Sequence, residues 1–166
     1  MDELEVIRYS ADLGGRPLTL APPDAGSTVV SGLAAVWGVL SSDRGGWRDR
    51  FRPHSLRWED VVALVSHDPS IVLGRLSAGT LQLESTDEGL AFACELPDTQ
   101  AGRDLAVSMR RGDLSTCSFA AALTREDWDY DRYLRTPVRD VLAADLLEIS
   151  IVPLPAFRQT RAEVTP

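Results

Sequence analysis

The chain has 166 residues, 44% of them apolar and 25% charged, which describes one ordinary globular domain over 1–166 with enough core to fold without disulfides or metal. Its net charge is −8 and its pI about 4.7, a surface that repels phosphate backbones and argues against nucleic acid as a partner. No apolar run reaches the roughly 20 residues that span a bilayer, and "MDELEVIRYS" does not resemble a signal peptide, so neither a membrane nor a secretory route is expected and the expected location is cytoplasmic.

Residues 4–20 alternate apolar and polar around Gly14-Gly15 and predict a hairpin. "TVVSGLAAVWGVL", residues 28–40, predicts a long strand with bulges or close backbone approach at Gly32 and Gly38. "SSDRGGWRDRFRP" predicts an exposed, mobile loop. Ser55 can cap a short helix running to about Leu64, with Leu56, Val61 and Leu64 inward. "VVALVSHDPSIVLGRL" gives one strand before His67 and another over "IVLGRL". "GTLQLESTDEGLAFACELP" is the clearest hairpin, with Leu81 and Leu83 alternating up and Leu90, Phe92, Cys94 and Leu96 alternating down. From Asp98 the period becomes helical: Asp98 or Thr99 caps, Leu105, Val107 and Met109 fill one face, and Gly112 sits where a C′ glycine belongs. "LSTCSFAAALT" and "DLLEISIVPL" read as strands joined by a charged, aromatic hairpin around "REDWDYDRYLRTP", and Pro153 and Pro155 stop the last one. Many short strands with few helices predict an α+β domain, a mostly antiparallel β-barrel flanked by a few helices.

The two cysteines, Cys94 and Cys117, lie in apolar surroundings without metal-ligand spacing and read as buried free thiols. With two histidines and no Cys/His cluster, neither a metal nor a cofactor is implied.

Three polar residues interrupt apolar strands: His67 after "VVALVS", Ser118 in "STCSFAA" and Glu148 in "DLLEISIV". A regular strand puts Leu146, Glu148, Ser150 and Val152 on one face and Leu147, Ile149 and Ile151 on the other. A carboxylate on such a half-apolar face costs free energy unless paired, and histidine is a suitable partner. Chemically the three types belong together. A serine hydroxyl is a weak nucleophile until a base takes its proton, an imidazole can take and return that proton near neutrality, and a carboxylate on the far ring nitrogen fixes the tautomer. On spacing alone, a core histidine, a strand serine and a solvated edge glutamate explain the same residues.

The ordered series "GLAAVWG", "FRPHSL", "VSHD" followed by "VLGRL", "DEGLAFACELPDTQAGRDL", "RRGDLSTCSF" and "LLEISIVPLPAF" resembles the prohead proteases of tailed bacteriophages over about residues 28–160. The resemblance implies a fold related to the herpesvirus assembly proteases. It also implies a serine endopeptidase that trims scaffolding and major capsid protein inside the assembling prohead, in the host cytoplasm, with self-cleavage and homo-oligomers both compatible. His67 falls on the family's "HD" histidine and would be the general base. Ser118 falls on the serine of "SF" and would be the nucleophile, and Glu148 would orient His67. The chain departs from the family at Ala120-Ala121, where glycine and an aromatic are usual, and at Pro53-His54-Ser55-Leu56, where "PGAF" is usual.

Each role has rivals in the chain. His54 is the only other histidine and can stand as a third member. Asp68 adjoins His67 but reads as a turn cap, Cys117 faces opposite to Ser118, and Ser115 is the runner-up nucleophile. Arg139 or Arg135 can assist at an oxyanion, although pairing with the many nearby acids of the exposed hairpin is the plainer reading of both. A barrel that only docks on scaffold or capsid protein is the alternative from another class.

Overall fold

Two long strands organise the molecule. The structure is a computed structural model that describes residues 6–11, 27–154 and 161–165. β9 (Thr116–Asp131) and β10 (Thr136–Val152) form one antiparallel hairpin through a turn at 132–135, where Arg135 has φ +53°. The charged, aromatic hairpin expected around "REDWDYDRYLRTP" is present, and its arms are the outer halves of these two long strands. Alternating aromatics and acids, "DWDYD", suit a two-sided exposed ribbon as well as a loop.

β10 outruns every other partner, so its second edge is covered in series. β3 (Arg48–Phe51), β4 (Leu56–Arg57) and β5 (Val62–Val65) each pair with it in parallel. This corrects two expectations. The glycine-rich loop contains a strand in which Asp49 is fully buried and Phe51 nearly so, because Arg139 lies opposite Asp49 in the register and neutralises it at 2.6 Å. The helix from Ser55 is absent. Leu56 and Val61 do face the core, from a strand and a connection, whereas Leu64 is buried on the opposite face of the sheet, in register with Ser150, and Ala63 takes the core side; spacings of three to five fit either period once a neighbouring edge offers backbone partners.

β6 (Asp68–Arg75) closes this sheet beyond β5, and β1 (Val6–Ala11) flanks β9 at the other side. The hairpin expected around Gly14-Gly15 lies, apart from β1, outside the described residues. A second sheet of four strands runs β11 (Arg161–Thr165), β2 (Val29–Val36), β8 (Gly89–Glu95) and β7 (Leu81–Ser85). β2 stops before Gly38, whose φ of +72° makes the turn that ends the strand.

The two sheets pack face to face around Val30, Phe92, Phe51, Phe119, Ile149 and Ile151, with Phe51 and Phe119 edge-to-face at 5.2 Å. At Gly74 an added Cβ would lie 2.7 Å from Cys94 Sγ, so glycine is what lets β6 approach β8. The expected closed barrel is corrected to this mostly β, α+β arrangement. Among the described residues, pairing forms two separate sheets and no ladder joins them.

One helix, α1 (Gln100–Arg110), is present among the described residues instead of several. Thr99 caps it by accepting from the Gly102 N–H, and Gly112 takes φ +81° just beyond its end. Leu105 and Met109 are buried, as their spacing predicts, while Val107 points outward and is 54% exposed. None of the described helices is long and apolar enough to cross a membrane.

Candidate active site

Ser118 and Ser150 are directly opposed on β9 and β10. Both are buried, at 4% and 1% exposure, on the face of the sheet turned away from the core residues Cys117, Phe119, Ile149 and Ile151. Glu148 reaches the same face by a device that periodicity alone does not reveal. The register slips between Leu146 and Glu148, leaving Leu147 as a bulge. Leu146 thereby joins Ile149 in the core, Leu147 is 42% exposed, and Glu148 sits beside Ser150. The regular alternation expected for this strand had Leu146 on the face of Glu148, and the bulge corrects it.

His67 comes from elsewhere in the sheet. β5 and β6 are joined by a two-residue turn, with Val65 paired to Asp68 and both central residues left-handed, Ser66 at φ +51° and His67 at φ +60°. Such turns favour asparagine and glycine. A serine and a histidine there cost about 1–3 kcal/mol each, and strain of this kind concentrates at functional sites. The turn is tied to β10 by two bonds: the Ser66 N–H donates to the Ile151 carbonyl at 2.9 Å, and the His67 N–H to Ser150 Oγ at 2.9 Å.

The imidazole consequently lies between Glu148 and Ser118. Nδ1 is 2.5 Å from Glu148 Oε1 and Nε2 is 2.9 Å from Ser118 Oγ. An ionised carboxylate can only accept, so Nδ1 carries the proton, and in the neutral ring Nε2 then accepts from the Ser118 hydroxyl. The other Glu148 oxygen is buried without a hydrogen-bond partner, so this carboxylate directs its bonding entirely toward the ring. The His67 side chain keeps 25% of its surface open, enough to meet a reactant from solvent.

A model of the caudovirus prohead serine protease family matches residues 18–166. The chain belongs to that family. Comparison with curated proteins and with solved structures gave no significant match. The family match includes all three residues joined above and leaves β1 outside it. The residues noted as departing from the expected family pattern differ in setting: Ser55 and Leu56 are buried, whereas Pro53 and His54 are exposed. Ala120 and Ala121 are buried strand residues, Ala120 facing Glu148 in the register.

The rival residues lie apart from the three. His54 is exposed, with Nδ1 2.7 Å from Ser85 Oγ and its ring against Trp37. Asp68 accepts from the Ser70 N–H and hydroxyl, which hold its carboxyl below the usual range and make it the turn cap that was expected. Cys117 is fully buried, and burial, helped by the Glu148 charge, pushes its thiol far above the usual range, so no thiolate is available. Cys94 is likewise buried, with its thiol pushed up to about 12. Neither cysteine is in a disulfide. Ser115 is exposed, and its carbonyl accepts from Ala162. Arg139 does not reach the site. It pairs opposite Trp128, far along β10 from Ser150, and is held by Asp49, Glu126 and the Trp47 and Trp128 rings. Arg135 is in the turn at that same far end.

Sequence reading passed over Ser66 and gave Ser150 no role. The two-residue turn has no signature in residue type, since Ser-His is not among the pairs such turns favour.

A cleft of about 1010 Å³ lies on a different part of the surface, between β6 and α1, lined by Val72, Arg75, Arg103, Val107 and Arg110 among others. None of the three site residues lines it. β6 connects the two places, starting one residue after His67 and ending in the cleft wall.

Proposed function

We propose that this chain is a serine endopeptidase acting on scaffolding or capsid protein during prohead maturation. The observation that carries the proposal is the imidazole bridging an alcohol and a buried carboxylate, in a chain of the prohead serine protease family. In this reading Ser118 Oγ forms a bond to the scissile carbonyl carbon while its proton passes to His67 Nε2. Glu148 stabilises the imidazolium that results, and His67 returns the proton to the departing amine as the C–N bond breaks. Water, deprotonated by the same imidazole, then releases the acyl group and restores the hydroxyl.

The open setting of His67 suits a polypeptide substrate better than a small molecule. β6 is an edge strand, and its free side is a surface on which an extended segment can add by main-chain hydrogen bonds. The site of action would be the assembling prohead in the host cytoplasm.

The test is Ser118→Ala, assayed on purified scaffold and capsid proteins and with a fluorophosphonate probe. Cleavage and labelling are expected to vanish while the thermal unfolding midpoint stays within a few degrees. Undiminished cleavage would overturn the assignment. Tight binding of capsid or scaffold protein by wild-type chain that neither labels nor cleaves would establish the docking-module reading instead.

A further inference from the structure

We infer that Ser150 is a positioning residue that holds the left-handed His67 turn over the sheet and so sets the distance from imidazole to Ser118. This rests on the peptidase reading for its kinetic consequence, though not for its spectroscopic one.

Three observations converge on this residue. Ser66 and His67 both occupy backbone that L residues with a Cβ avoid, so the turn persists only if something else holds it. The Ser66 N–H continues the main-chain bonding between β5 and β10, which any residue at 151 would provide. Among the described residues, the His67 N–H has no such main-chain partner, and it donates to the Ser150 side chain at 2.9 Å. Ser150 is therefore, among the described residues, the side chain that fixes the backbone of His67 on β10, and it does so two residues from Glu148 and directly opposite Ser118.

That placement is economical in geometry. The ring of His67 has bonds at both nitrogens, to groups on different strands, and the amide bond to Ser150 fixes the third point, its Cα. With all three fixed, the ring has no freedom to swing about the turn. Without the hydroxyl, the His67 N–H is left unpaired in a partly buried setting and the turn can relax toward right-handed backbone. The ring would then leave one of its two partners. Near-attack geometry is steep in distance, and a shift of about 1 Å costs roughly 10²-fold in rate.

The experiment is Ser150→Ala, alone and with Ser66→Asn, read by kinetics and by proton NMR. Asparagine tolerates the left-handed region better than serine, so it lowers the strain that Ser150 otherwise opposes. In the wild-type chain the Nδ1 proton shared with Glu148 should resonate far downfield. S150A is expected to lower kcat roughly 10²-fold with KM within about twofold, and to abolish or shift that resonance. Adding S66N should restore part of both. Retention of full kcat and an unmoved resonance in S150A would overturn the inference, as would a loss of activity with the resonance intact and no effect of S66N. If wild-type chain cleaves nothing but the resonance is lost in S150A and regained with S66N, the positioning role stands and the peptidase reading falls. Should S150A fail to fold, hydrogen exchange of the His67 amide in the wild-type chain decides. A protected amide supports the bond to Ser150, and one exchanging like exposed backbone overturns it.

Discussion

Replacing Glu148 with glutamine would separate the chemistry of this site from its stability. The carboxylate meets His67 Nδ1 at 2.5 Å and is 9% exposed, while its second oxygen is buried without a partner. In the ground state, Glu148→Gln exchanges a charge-assisted hydrogen bond for a neutral one, a loss of about 1–2 kcal/mol. Against that stands the removal of a buried charge, worth about 1–3 kcal/mol, while the unpartnered oxygen is exchanged for an equally unpartnered amide NH₂. The two nearly cancel, so the unfolding midpoint should hold or rise by about 2 °C, given roughly 2–4 °C per kcal/mol for a chain of this size. Under the proposed peptidase mechanism, catalysis has no such compensation. A neutral amide cannot stabilise the imidazolium formed when Ser118 loses its proton, and its NH₂ can turn the ring to the wrong tautomer. The comparable change in a chymotrypsin-type triad lowers kcat about 10⁴-fold. A drop on the order of 10³-fold is expected here, in kcat and not in KM. The assay is peptide cleavage at saturating and limiting substrate alongside a thermal melt of the same sample. Cleavage within about twofold of wild type would refute the orienting role, and a fall of 5 °C or more would refute the balance drawn above.

Two further outcomes follow from charge pairs away from the site. Arg139→Ala removes the nearest cation from the fully buried Asp49 and leaves Arg44 at 3.7 Å as its salt-bridge partner, so a loss of roughly 3 kcal/mol, the low end for a broken buried pair, is expected, whereas joint replacement by Asp49→Leu and Arg139→Met should cost much less; chemical denaturation measures both. Asp140 is buried under Arg50 and Arg52 at 2.7 and 2.8 Å, and the Arg50 hydrogen bond above all holds its carboxyl below the usual range. A depressed folded value means the stabilisation is complete above the unfolded aspartate value of about 3.9 and is lost as pH falls through the lower folded one. Asp140→Asn should therefore melt several degrees lower at pH 7, and the gap should close on acidification below about pH 4.

What the chain reveals unaided divides along a physical line. The β7–β8 hairpin and α1 were legible because their signals are local: alternation about a turn in one case, a Thr99 cap and a terminal Gly112 in the other. Pairing between distant segments was not. Arg48–Phe51 reads as loop until Arg139 is known to lie opposite Asp49, and Leu56–Leu64 reads as helix until β10 is seen to offer its edge. The same distinction applies to the site. His67, Ser118 and Glu148 attract notice as polar interruptions, but the face Glu148 occupies depends on a bulge at Leu147, and a bulge has no signature in residue type when leucine supplies it.

β10 has a consequence for when the site comes into being. It is the common neighbour of β3, β4, β5 and β9, and it brings both Glu148 and Ser150 within its last turn of chain. A polypeptide still leaving the ribosome has its imidazole and its alcohol well before it has the acid that aligns them. Contacts of such long sequence separation form slowly, so the reacting groups meet only as the sheet is completed. On the peptidase reading, a chain in which β10 has yet to pair holds the three side chains apart and so has no assembled site.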